Sequence, residues 1–398
     1  MLFQPQGQIE IGLFNRIAEA GLKLLGDGYL VRDKLENPDA ILVRSEKIDT
    51  DKYPNLIAIA RAGAGVNTIT VDKATARGIC VFNTPGANSN AVAELVMTMI
   101  GAQMRNLFEA AQFVRTNLHF DLPRIEAFIE ANKKKFVGRE LFGQTLGVIG
   151  LGHIGVRVAN LGVQKGMKVI GFDAYLTLEN AHQLNKDVQL ATSMEVILEE
   201  ADVITVHVPL TETTRNLIGA TQIDRMKRRP MLVNYSRRGI YDEKALFEAF
   251  ESDKVASYIS DFPNPELLHP KVIFTPHVGA STEESEEKCA EMAVLQLKAF
   301  LESGTVTNSV NFPPTELVAG QNVHTRLVVV NRDVPNMIAT ITGALGEKNI
   351  NITGIINHSN EQIGYNLIDV ASEVSPEILS DIENIVDVLN VRPIVMKK

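Results

Sequence analysis

The sequence predicts an α/β protein with two doubly wound lobes, each built on a parallel sheet, and a third, smaller α+β domain. In the middle of the chain, short apolar runs alternate with helical patterns, which is typical of a parallel sheet covered by helices. The N-terminal part repeats this style with shorter elements. The last part of the chain instead has a strand-helix-strand-strand-helix-strand order, which is typical of an antiparallel sheet with two helices.

Each predicted strand is a short run rich in β-branched and aromatic residues. In the first lobe these runs cover residues 40–45, 55–61 and 79–85. In the second lobe they cover 145–150, 167–173, 202–208, 231–236, 255–260 and 271–276, with helices at 152–165, 193–201 and 242–252. Ser193 and Asp242 are the expected N-caps of two of these helices. We expect a cleft between the two lobes.

A long amphipathic helix, 283–304, follows the second lobe and ends at Gly304, so it can return to the first lobe. Periodicity is lost after it, and Pro313-Pro314 indicates a linker over 311–324. The third domain, 325–398, has predicted strands at 325–331, 352–358, 363–371 and 392–396 and predicted helices at 334–349 and 375–389.

Composition limits the classes of function. The chain has 398 residues with a formal net charge of −9, which argues against nucleic acid or an anionic membrane as a partner. No apolar run could span a bilayer and the first residues lack a signal-peptide pattern, so we expect a cytoplasmic protein. Cys80 and Cys289 form no pattern typical of a disulfide or a metal site, and no metal is predicted. The expected partners are small molecules and copies of the same chain.

A GxGxxG pattern follows the predicted strand 145–150 and opens a helix, and Asp173 ends the next strand. This is the context that a dinucleotide-binding turn requires, because glycines let the pyrophosphate approach the backbone at a helix N-terminus. Asp173 would accept hydrogen bonds from the ribose hydroxyls and repel a 2′-phosphate, which favours NAD over NADP. The residues of the turn are Gly150, Gly152, His153, Ile154 and Gly155.

Three polar side chains follow strands of the second lobe. Arg237 comes after 231–236, Glu266 after 255–260 and His277 after 271–276. On its own, His277 is more typical of a histidine packed in a core. Parallel strands end at the same edge of a sheet, however, and hydride exchange with NAD needs a proton carrier, a cation for the oxygen and a carboxylate for the imidazole. The shared edge therefore favours a catalytic interpretation.

Several segments together resemble the D-isomer-specific 2-hydroxyacid dehydrogenases over residues 1–310. They are RAGAGVNTI, NTPGANSNAVAE, GQTLGVIGLGHIG, TVHVPLTETTRNLIG, LVNYSRRGIYDE, SDFPNPE and TPHVGAST. The resemblance implies a Rossmann-type NAD domain, 96–282, inserted in a flavodoxin-like substrate lobe formed by 1–95 and 283–310. It also implies that Arg237 binds the substrate carboxylate and C2 oxygen, that Glu266 supports the imidazole and that His277 transfers the proton.

The same resemblance implies further cofactor contacts. Asp261 would hold the nicotinamide carboxamide, Val208 and Pro209 would line the adenine pocket, and Gly279 would leave space for the nicotinamide. Tyr235 and Ser236 complete the expected cofactor set. Arg238 stands where the family usually has glycine, so whether Arg237 or Arg238 faces the cleft stays open.

Within the family, the chain is most similar to members that oxidise 3-phosphoglycerate. Arg44, with help from Arg61, would then bind the substrate phosphate. The carboxylate would be held by the remaining predicted substrate residues, Ala64, Gly65, Val66 and Asn88. One alternative is a dehydrogenase for an unphosphorylated acid such as lactate or glycerate. Another, from a different class, is an NAD-sensing binding protein similar to the corepressors built on this fold.

Residues 325–398 resemble the ACT regulatory domain, which implies a serine effector bound at a domain interface. Asn331, Asp333 and Asn351 are the candidate effector contacts by position. The alternative is a domain that only dimerises. The resemblance is consistent with a homodimer or a homotetramer.

Overall fold

The computed structural model describes residues 3–4, 8–118 and 121–396. Residues 1–2 and 5–7 of the first predicted lobe, 119–120 of the predicted NAD domain and 397–398 of the third predicted domain lie outside the described residues. Contacts divide the chain into two compact units, one of Met1–Asn88 with Glu283–Lys398 and one of Ser89–Thr282. The second unit begins earlier than the predicted boundary at residue 96. The reason is that the helix starting at Ser89 contributes Val92 and Val96 to the core of that unit.

The first unit contains a parallel sheet with a flavodoxin-like strand order. After β1 (Phe3–Gln4), its strands and helices are β2 (Ile9–Phe14), α1 (Glu19–Leu22), β3 (Tyr29–Asp33), β4 (Ala40–Val43), β5 (Ala58–Arg61), α2 (Val71–Ala76) and β6 (Cys80–Phe82), with a 3-10 turn at Thr50–Lys52. The order across the sheet is β3-β2-β4-β5-β6 and every pairing is parallel. Counted from β2, this is the order 2-1-3-4-5 of doubly wound folds of that type.

The second unit contains a seven-stranded parallel sheet. Its elements begin with α3 (Ser89–Met104), α4 (Leu107–Asn117), α5 (Leu122–Asn132), a 3-10 turn at Lys133–Phe136, β7 (Thr145–Ile149), α6 (His153–Gln164), β8 (Lys168–Phe172), α7 (Leu178–Gln183) and β9 (Val188–Leu190). They continue with α8 (Met194–Glu200), β10 (Val203–Val206), α9 (Ala220–Asp224), β11 (Met231–Asn234), α10 (Glu243–Glu251), β12 (Ser257–Ser260), a 3-10 turn at Pro265–Leu267 and β13 (Val272–Phe274). The strand order β9-β8-β7-β10-β11-β12-β13 is the Rossmann order with one strand added, so the predicted fold class is confirmed.

The chain then returns to the first unit. It forms α11 (Glu283–Ser303), β14 (Thr325–Arg332), α12 (Met337–Glu347), β15 (Ile352–Ser359), β16 (Ile363–Val370), α13 (Pro376–Glu383) and β17 (Val388–Met396). The strands form an antiparallel sheet in the order β1-β17-β14-β16-β15. This confirms the predicted α+β order, to which β1 adds an edge strand that was not predicted.

Other elements also differ from the prediction. Strands β2, β3 and β9 were not among the predicted runs, and β9 has only three residues, of which two are exposed. The helix predicted over 375–389 ends at Glu383. Asp387 adopts a positive φ of 71° and its carbonyl accepts from the amide of Arg332, so Val388 can pair with Asn331 on β14.

The segment predicted as a linker, 311–324, contains packed residues. Phe312 is 3% exposed, and the amide nitrogen of the buried Asn311 side chain donates to the carbonyl of Ile79 at 2.9 Å. Phe82 from the parallel sheet and Tyr365 from the antiparallel sheet share one hydrophobic cluster with it. The antiparallel sheet is therefore part of the core of the first unit.

The C-terminal end of α11 is fixed by this antiparallel sheet. Arg326 Nη1 donates to the carbonyl of Ser303 at 3.0 Å, and the hydroxyl of Tyr365 donates to the carbonyl of Gly304 at 2.6 Å. These bonds satisfy carbonyls that a helix end leaves without a partner inside the helix. Across the described part of the chain, no helix is both long enough and apolar enough to cross a membrane.

Candidate active site

The turn between β7 and α6 has the shape that a dinucleotide needs. Gly150 adopts a positive φ of 91°, and a Cβ atom there would lie 2.7 Å from the carbonyl oxygen of His207. A Cβ atom on Gly155 would collide with the carbonyl oxygen of Gly150, whereas one on Gly152 would meet no atom within 4 Å. Gly150 and Gly155 thus permit the tight turn and Gly152 leaves open space at the N-terminus of α6, where amides and the helix dipole favour a pyrophosphate.

Asp173 stabilises this turn from the end of β8. Its Oδ2 accepts from the amide of Leu151 at 2.7 Å and its Oδ1 from the amide of Tyr175 at 2.7 Å. A carboxylate has about four acceptor positions, so two remain for the hydroxyls of a ribose. The residues present therefore fit NAD.

Arg237, Glu266 and His277 lie at the ends of three neighbouring strands, β11, β12 and β13, which are parallel to one another. His277 adopts a positive φ of 51°, and its ring packs edge-on against Phe262 with centroids 5.0 Å apart. Burial raises the pKa of the nearby Asp261 carboxyl, and the positive charges of His277 and Arg237 oppose this shift. The sheet therefore brings a histidine, an arginine and a buried carboxyl group together at one edge.

Glu266 does not join this group through a direct contact. It is exposed, and among the described residues no hydrogen bond or ion pair connects it to His277. Its amide instead donates to Oδ1 of Asn264, which caps the 3-10 turn at Pro265–Leu267.

The two adjacent arginines make different contacts. The guanidinium of Arg238 donates to the carbonyl of Pro263, and Arg237 Nη1 donates to the carbonyl of Ser236 at 2.7 Å. The carbonyl of Arg237 accepts from the side-chain amide of Asn234 at 3.0 Å. Arg238 thus holds the neighbouring loop, whereas the charge of Arg237 lowers the pKa of the Asp261 carboxyl.

Asp261 is 3% exposed, and its Oδ1 has no hydrogen-bond partner among the described residues. A Cβ atom on Gly279 would lie 3.3 Å from Asp261 Oδ2 and 3.7 Å from the ring of Tyr235. A buried polar atom normally has a partner, so an orphaned carboxyl oxygen indicates a place for an external donor such as a carboxamide.

The other predicted cofactor residues lie near the ends of β10 and β11. The hydroxyl of Ser236 donates to the carbonyl of Val208, which links the two loops. The hydroxyl of Tyr235 lies 3.4 Å from Oγ1 of Thr275, and burial raises its pKa to about 12. Pro209 is exposed and its carbonyl accepts from Thr214 at 2.6 Å.

His207, which follows β10 directly, was not among the predicted site residues. Its Nε2 lies 2.9 Å from Oγ1 of Thr205, and its Nδ1 is buried without a partner among the described residues. Burial lowers its pKa to about 3, so the ring is neutral. His207 directly follows β10, which pairs with β7 at the point where the strand order of the sheet reverses. Ligands bind at such a point, so this position is the signal that could have identified His207.

The predicted phosphate ligands lie at the carboxyl edge of the sheet in the first unit. Arg44 follows β4, and its Nη2 forms an ion pair with Glu286 Oε1 at 2.7 Å. Arg61 ends β5, and it donates through Nε to the carbonyl of Arg44 at 2.9 Å and through Nη1 to the carbonyl of Gly65. The guanidinium of Arg61 is thus engaged in holding the backbone around Arg44.

The loop after β5 presents backbone amides. Among the described residues, the amides of Ala64, Gly65 and Val66 donate no hydrogen bond, whereas the carbonyl of Ala64 accepts from Asn83 at 2.6 Å. A run of free amides of this kind favours an anion. Asn88 is half-buried at the end of this part of the unit.

The three candidate effector residues do not form one site within this chain. Asn331 is 2% exposed, and its side chain bonds to Asn366 at 2.7 Å and to the carbonyl of Arg332 at 2.6 Å. Asp333 and Asn351 are exposed. Ile352 on β15 and Thr325 on β14 both pair with Val370 of β16, which lies between these two strands. Asn331 lies six residues beyond Thr325 along β14, a distance of roughly 20 Å.

The dinucleotide turn and the histidine at the same sheet edge are features typical of pyridine-nucleotide-dependent dehydrogenases. Comparisons with known proteins narrow this class. Residues 97–279 match the family model described as "D-isomer specific 2-hydroxyacid dehydrogenase, NAD binding domain".

The D-3-phosphoglycerate dehydrogenase of Haemophilus influenzae is 30% identical over 377 residues, which cover 90% of this chain and 87% of that protein. The enzyme of the same name from Methanocaldococcus jannaschii is 39% identical over 292 residues, 71% of this chain and 53% of that protein. The NAD+-bound 3-phosphoglycerate dehydrogenase of Entamoeba histolytica superposes with a TM-score of 0.61 at 28% identity over 77% of this chain and 99% of that one.

The chain belongs to the D-isomer specific 2-hydroxyacid dehydrogenase family, and its second unit is the NAD-binding domain of that family. Several of the curated relatives are longer, and the chain spans about half of their length.

Proposed function

We propose that the chain oxidises D-3-phosphoglycerate at C2 with NAD, giving 3-phosphohydroxypyruvate, the first step of phosphorylated serine biosynthesis. The observation that carries the proposal is the group formed by His277, Arg237 and the buried Asp261 at one edge of the NAD-binding sheet. Similarity to dehydrogenases named for 3-phosphoglycerate supports the choice of substrate. NAD and a phosphorylated acid are charged metabolites of the cell interior, so a cytoplasmic location is part of the proposal.

In this proposal, each residue at the edge of the sheet has one task. Arg237 binds the carboxylate and the C2 oxygen, and His277 takes the hydroxyl proton as the C2 hydrogen leaves with its electron pair. Bound NAD supplies the acceptor for that hydride. Asp261 Oδ1 accepts from the carboxamide of the cofactor. Glu266 orients the imidazole once substrate is bound, since catalytic hydrogen bonds are often absent from ligand-free geometry.

The predicted substrate residues of the first unit also have tasks in the proposal. Arg44 takes the phosphate, Arg61 holds the backbone of Arg44 in place, and the free amides of residues 64–66 with Asn88 take the carboxylate. One observation favours the second candidate, an unphosphorylated 2-hydroxy acid. Arg44 is already paired with Glu286, so its charge is partly neutralised.

A panel of three keto acids separates these candidates. NADH consumption is measured with 3-phosphohydroxypyruvate, hydroxypyruvate and pyruvate. The proposal expects kcat/KM to be highest for the phosphorylated acid, and it expects Arg44→Gln to lower that value by about 10- to 100-fold, the scale of a charge-assisted hydrogen bond. Equal values for the first two acids in the wild type would refute the phosphate role.

The proton-transfer role of His277 has its own test. His277→Ala should keep NADH affinity and lose turnover by about 10² or more, the usual size of general acid-base help. Phe262→Leu is the matched control because it removes only the ring that packs against the imidazole. Turnover within a few-fold of wild type in His277→Ala would exclude this residue as the proton carrier.

We also propose that the antiparallel domain is a regulatory ACT-like domain and that the chain assembles as a homodimer or homotetramer. The strand-helix-strand-strand-helix-strand order supports the first part. Because Asn331 is buried and engaged, Asp333 and Asn351 are the accessible candidates for an effector such as serine. Titration of serine by calorimetry and sedimentation of the intact chain test the two parts, and the absence of heat would favour a domain that only dimerises.

A further inference from the structure

We propose that Glu286 competes with the substrate phosphate for Arg44 and so sets how strongly the protein prefers a phosphorylated substrate. The inference rests on the proposed function. It starts from an ion pair of 2.7 Å between Arg44 Nη2 and Glu286 Oε1, in which both side chains are partly exposed, 37% and 41%. A ligand can therefore reach either partner.

The backbones that carry the two side chains are fixed. The carbonyl of Arg44 accepts from Arg61 at 2.9 Å, directly after the fully buried strand β4. Glu286 belongs to the first turn of α11, which the buried residues Ser285 and Cys289 anchor. Only the ends of the Arg44 and Glu286 side chains have freedom to exchange partners.

The chemistry of the two anions is alike. A carboxylate and a phosphate monoester both present two oxygens to the planar fork of a guanidinium. The phosphate carries a charge of about −1.5 to −2 at neutral pH and therefore displaces a carboxylate of charge −1. The displaced Glu286 stays beside the bound phosphate and repels it, so wild-type affinity for the phosphorylated acid is lower than Arg44 alone would give.

The pair affects the two substrates differently. Hydroxypyruvate has a neutral hydroxyl where 3-phosphohydroxypyruvate has its phosphate, and a neutral hydroxyl does not displace a carboxylate from a guanidinium, so Arg44 stays paired and contributes little to binding that acid. Removal of the Glu286 charge should therefore change the ratio of the KM values for 3-phosphohydroxypyruvate and hydroxypyruvate. The interaction free energy of an exposed ion pair corresponds to a change of about two- to fivefold in that ratio.

The test compares Glu286→Gln with Glu287→Gln. Both changes remove one negative charge from the same turn of α11, but Glu287 is exposed and forms no ion pair among the described residues. The KM ratio is measured by NADH consumption in the wild type, in both variants, in Arg44→Gln and in the double variant Arg44→Gln/Glu286→Gln. We expect Glu286→Gln to lower the KM for the phosphorylated acid by about two- to fivefold relative to hydroxypyruvate. Glu287→Gln should not show this shift relative to the wild type. The double variant should not show it relative to Arg44→Gln.

Equal shifts in Glu286→Gln and Glu287→Gln would overturn the inference, because the loss of any negative charge at this end of α11 would then explain them. No shift in Glu286→Gln, with a clear loss in Arg44→Gln, would also overturn it while the proposed function stands. If Arg44→Gln leaves the phosphorylated acid unaffected, the phosphate role and the inference fail together, and the keto-acid panel shows which substrate remains.

Discussion

The antiparallel sheet and the NAD-binding sheet bury ionisable side chains in opposite ways. In the antiparallel sheet, Arg326 and Asp369 are 1% and 2% exposed at the side chain and form two hydrogen bonds, of 2.6 and 2.8 Å. In the NAD-binding sheet, Asp261 Oδ1 and His207 Nδ1 are buried with no partner among the described residues.

This difference distinguishes ionisable side chains that stabilise the fold from ionisable side chains that are available to bind a ligand. A buried ionisable group without a partner destabilises the free protein, and such groups concentrate at functional sites. A buried pair with complete hydrogen bonds has no capacity left for a ligand. In the proposed function, the unpartnered atoms of the NAD-binding sheet are available to the cofactor, whereas Arg326 connects the antiparallel sheet to the end of α11.

The largest expected effect comes from breaking the buried pair. Asp369→Ala leaves the guanidinium of Arg326 buried without its carboxylate, and removal of one partner of such a pair costs about 3–5 kcal/mol. Urea unfolding of the intact chain measures this loss. The double variant Arg326→Met/Asp369→Leu removes both charges and should be close to neutral.

An exposed pair in the same domain is the control. Lys348 and Glu377 lie 3.0 Å apart with side-chain exposures of 38% and 77%, so Glu377→Ala should change the free energy of unfolding by at most about 1 kcal/mol. If Asp369→Ala were as mild as Glu377→Ala, the buried pair would not stabilise the fold and the comparison would fail.

The next effect concerns pH and His207. Its pKa is about 3 in the folded protein, well below the usual value of 6.5, so the unfolded chain binds a proton first as the pH falls. Stability should therefore decrease from about pH 6.5 downward, by about 1.4 kcal/mol per pH unit, until the folded-state pKa is reached. Between pH 6.5 and 4 this amounts to about 3 kcal/mol.

The contribution of His207 is isolated by His207→Gln, which cannot titrate. The difference in unfolding free energy between wild type and variant, followed by circular dichroism from pH 8 to 4, should be constant above pH 7 and shift against the wild type below it. His182→Gln, on the same unit, serves as the comparison because its imidazole is not buried. Parallel curves for wild type and His207→Gln would show that His207 is solvated.

Sequence patterns were sufficient where local rules determine the structure. The glycine turn, Asp173 and the edge with Arg237 and His277 follow from a strand-turn-helix pattern and from the geometry of parallel strands. The missed features depend on contacts between distant segments. His207 was read as part of a strand, and nothing in its neighbours along the chain shows that its Nδ1 would be buried.

The same reason explains why the third domain differs from a reading of the sequence alone. Strand register, not spacing along the sequence, places Asn331 and Asn351 far apart. The predicted linker is packed because Asn311 and Phe312 meet residues from distant parts of the chain. Periodicity detects a buried face but does not identify what covers it.

The smallest of the expected effects separates a ligand-binding role from a structural role at Asp261. Asp261→Asn removes a buried carboxyl group that has a free oxygen, so the free energy of unfolding should stay equal or rise. NADH affinity should fall by about 10- to 100-fold, because a hydrogen bond to a charged group contributes about 1.5–3 kcal/mol. NADH fluorescence titration measures the affinity.

The pH dependence of NADH binding gives a second test of the same role. Because burial raises the pKa of Asp261, a falling pH protonates the wild-type carboxyl and weakens NADH binding, whereas Asp261→Asn should lack this dependence. Asp187→Asn makes the same chemical change at an exposed position of the same unit and should alter neither property. A loss of stability in Asp261→Asn with unchanged NADH affinity would place Asp261 with the structural pair Arg326–Asp369 and remove the contrast between the two sheets.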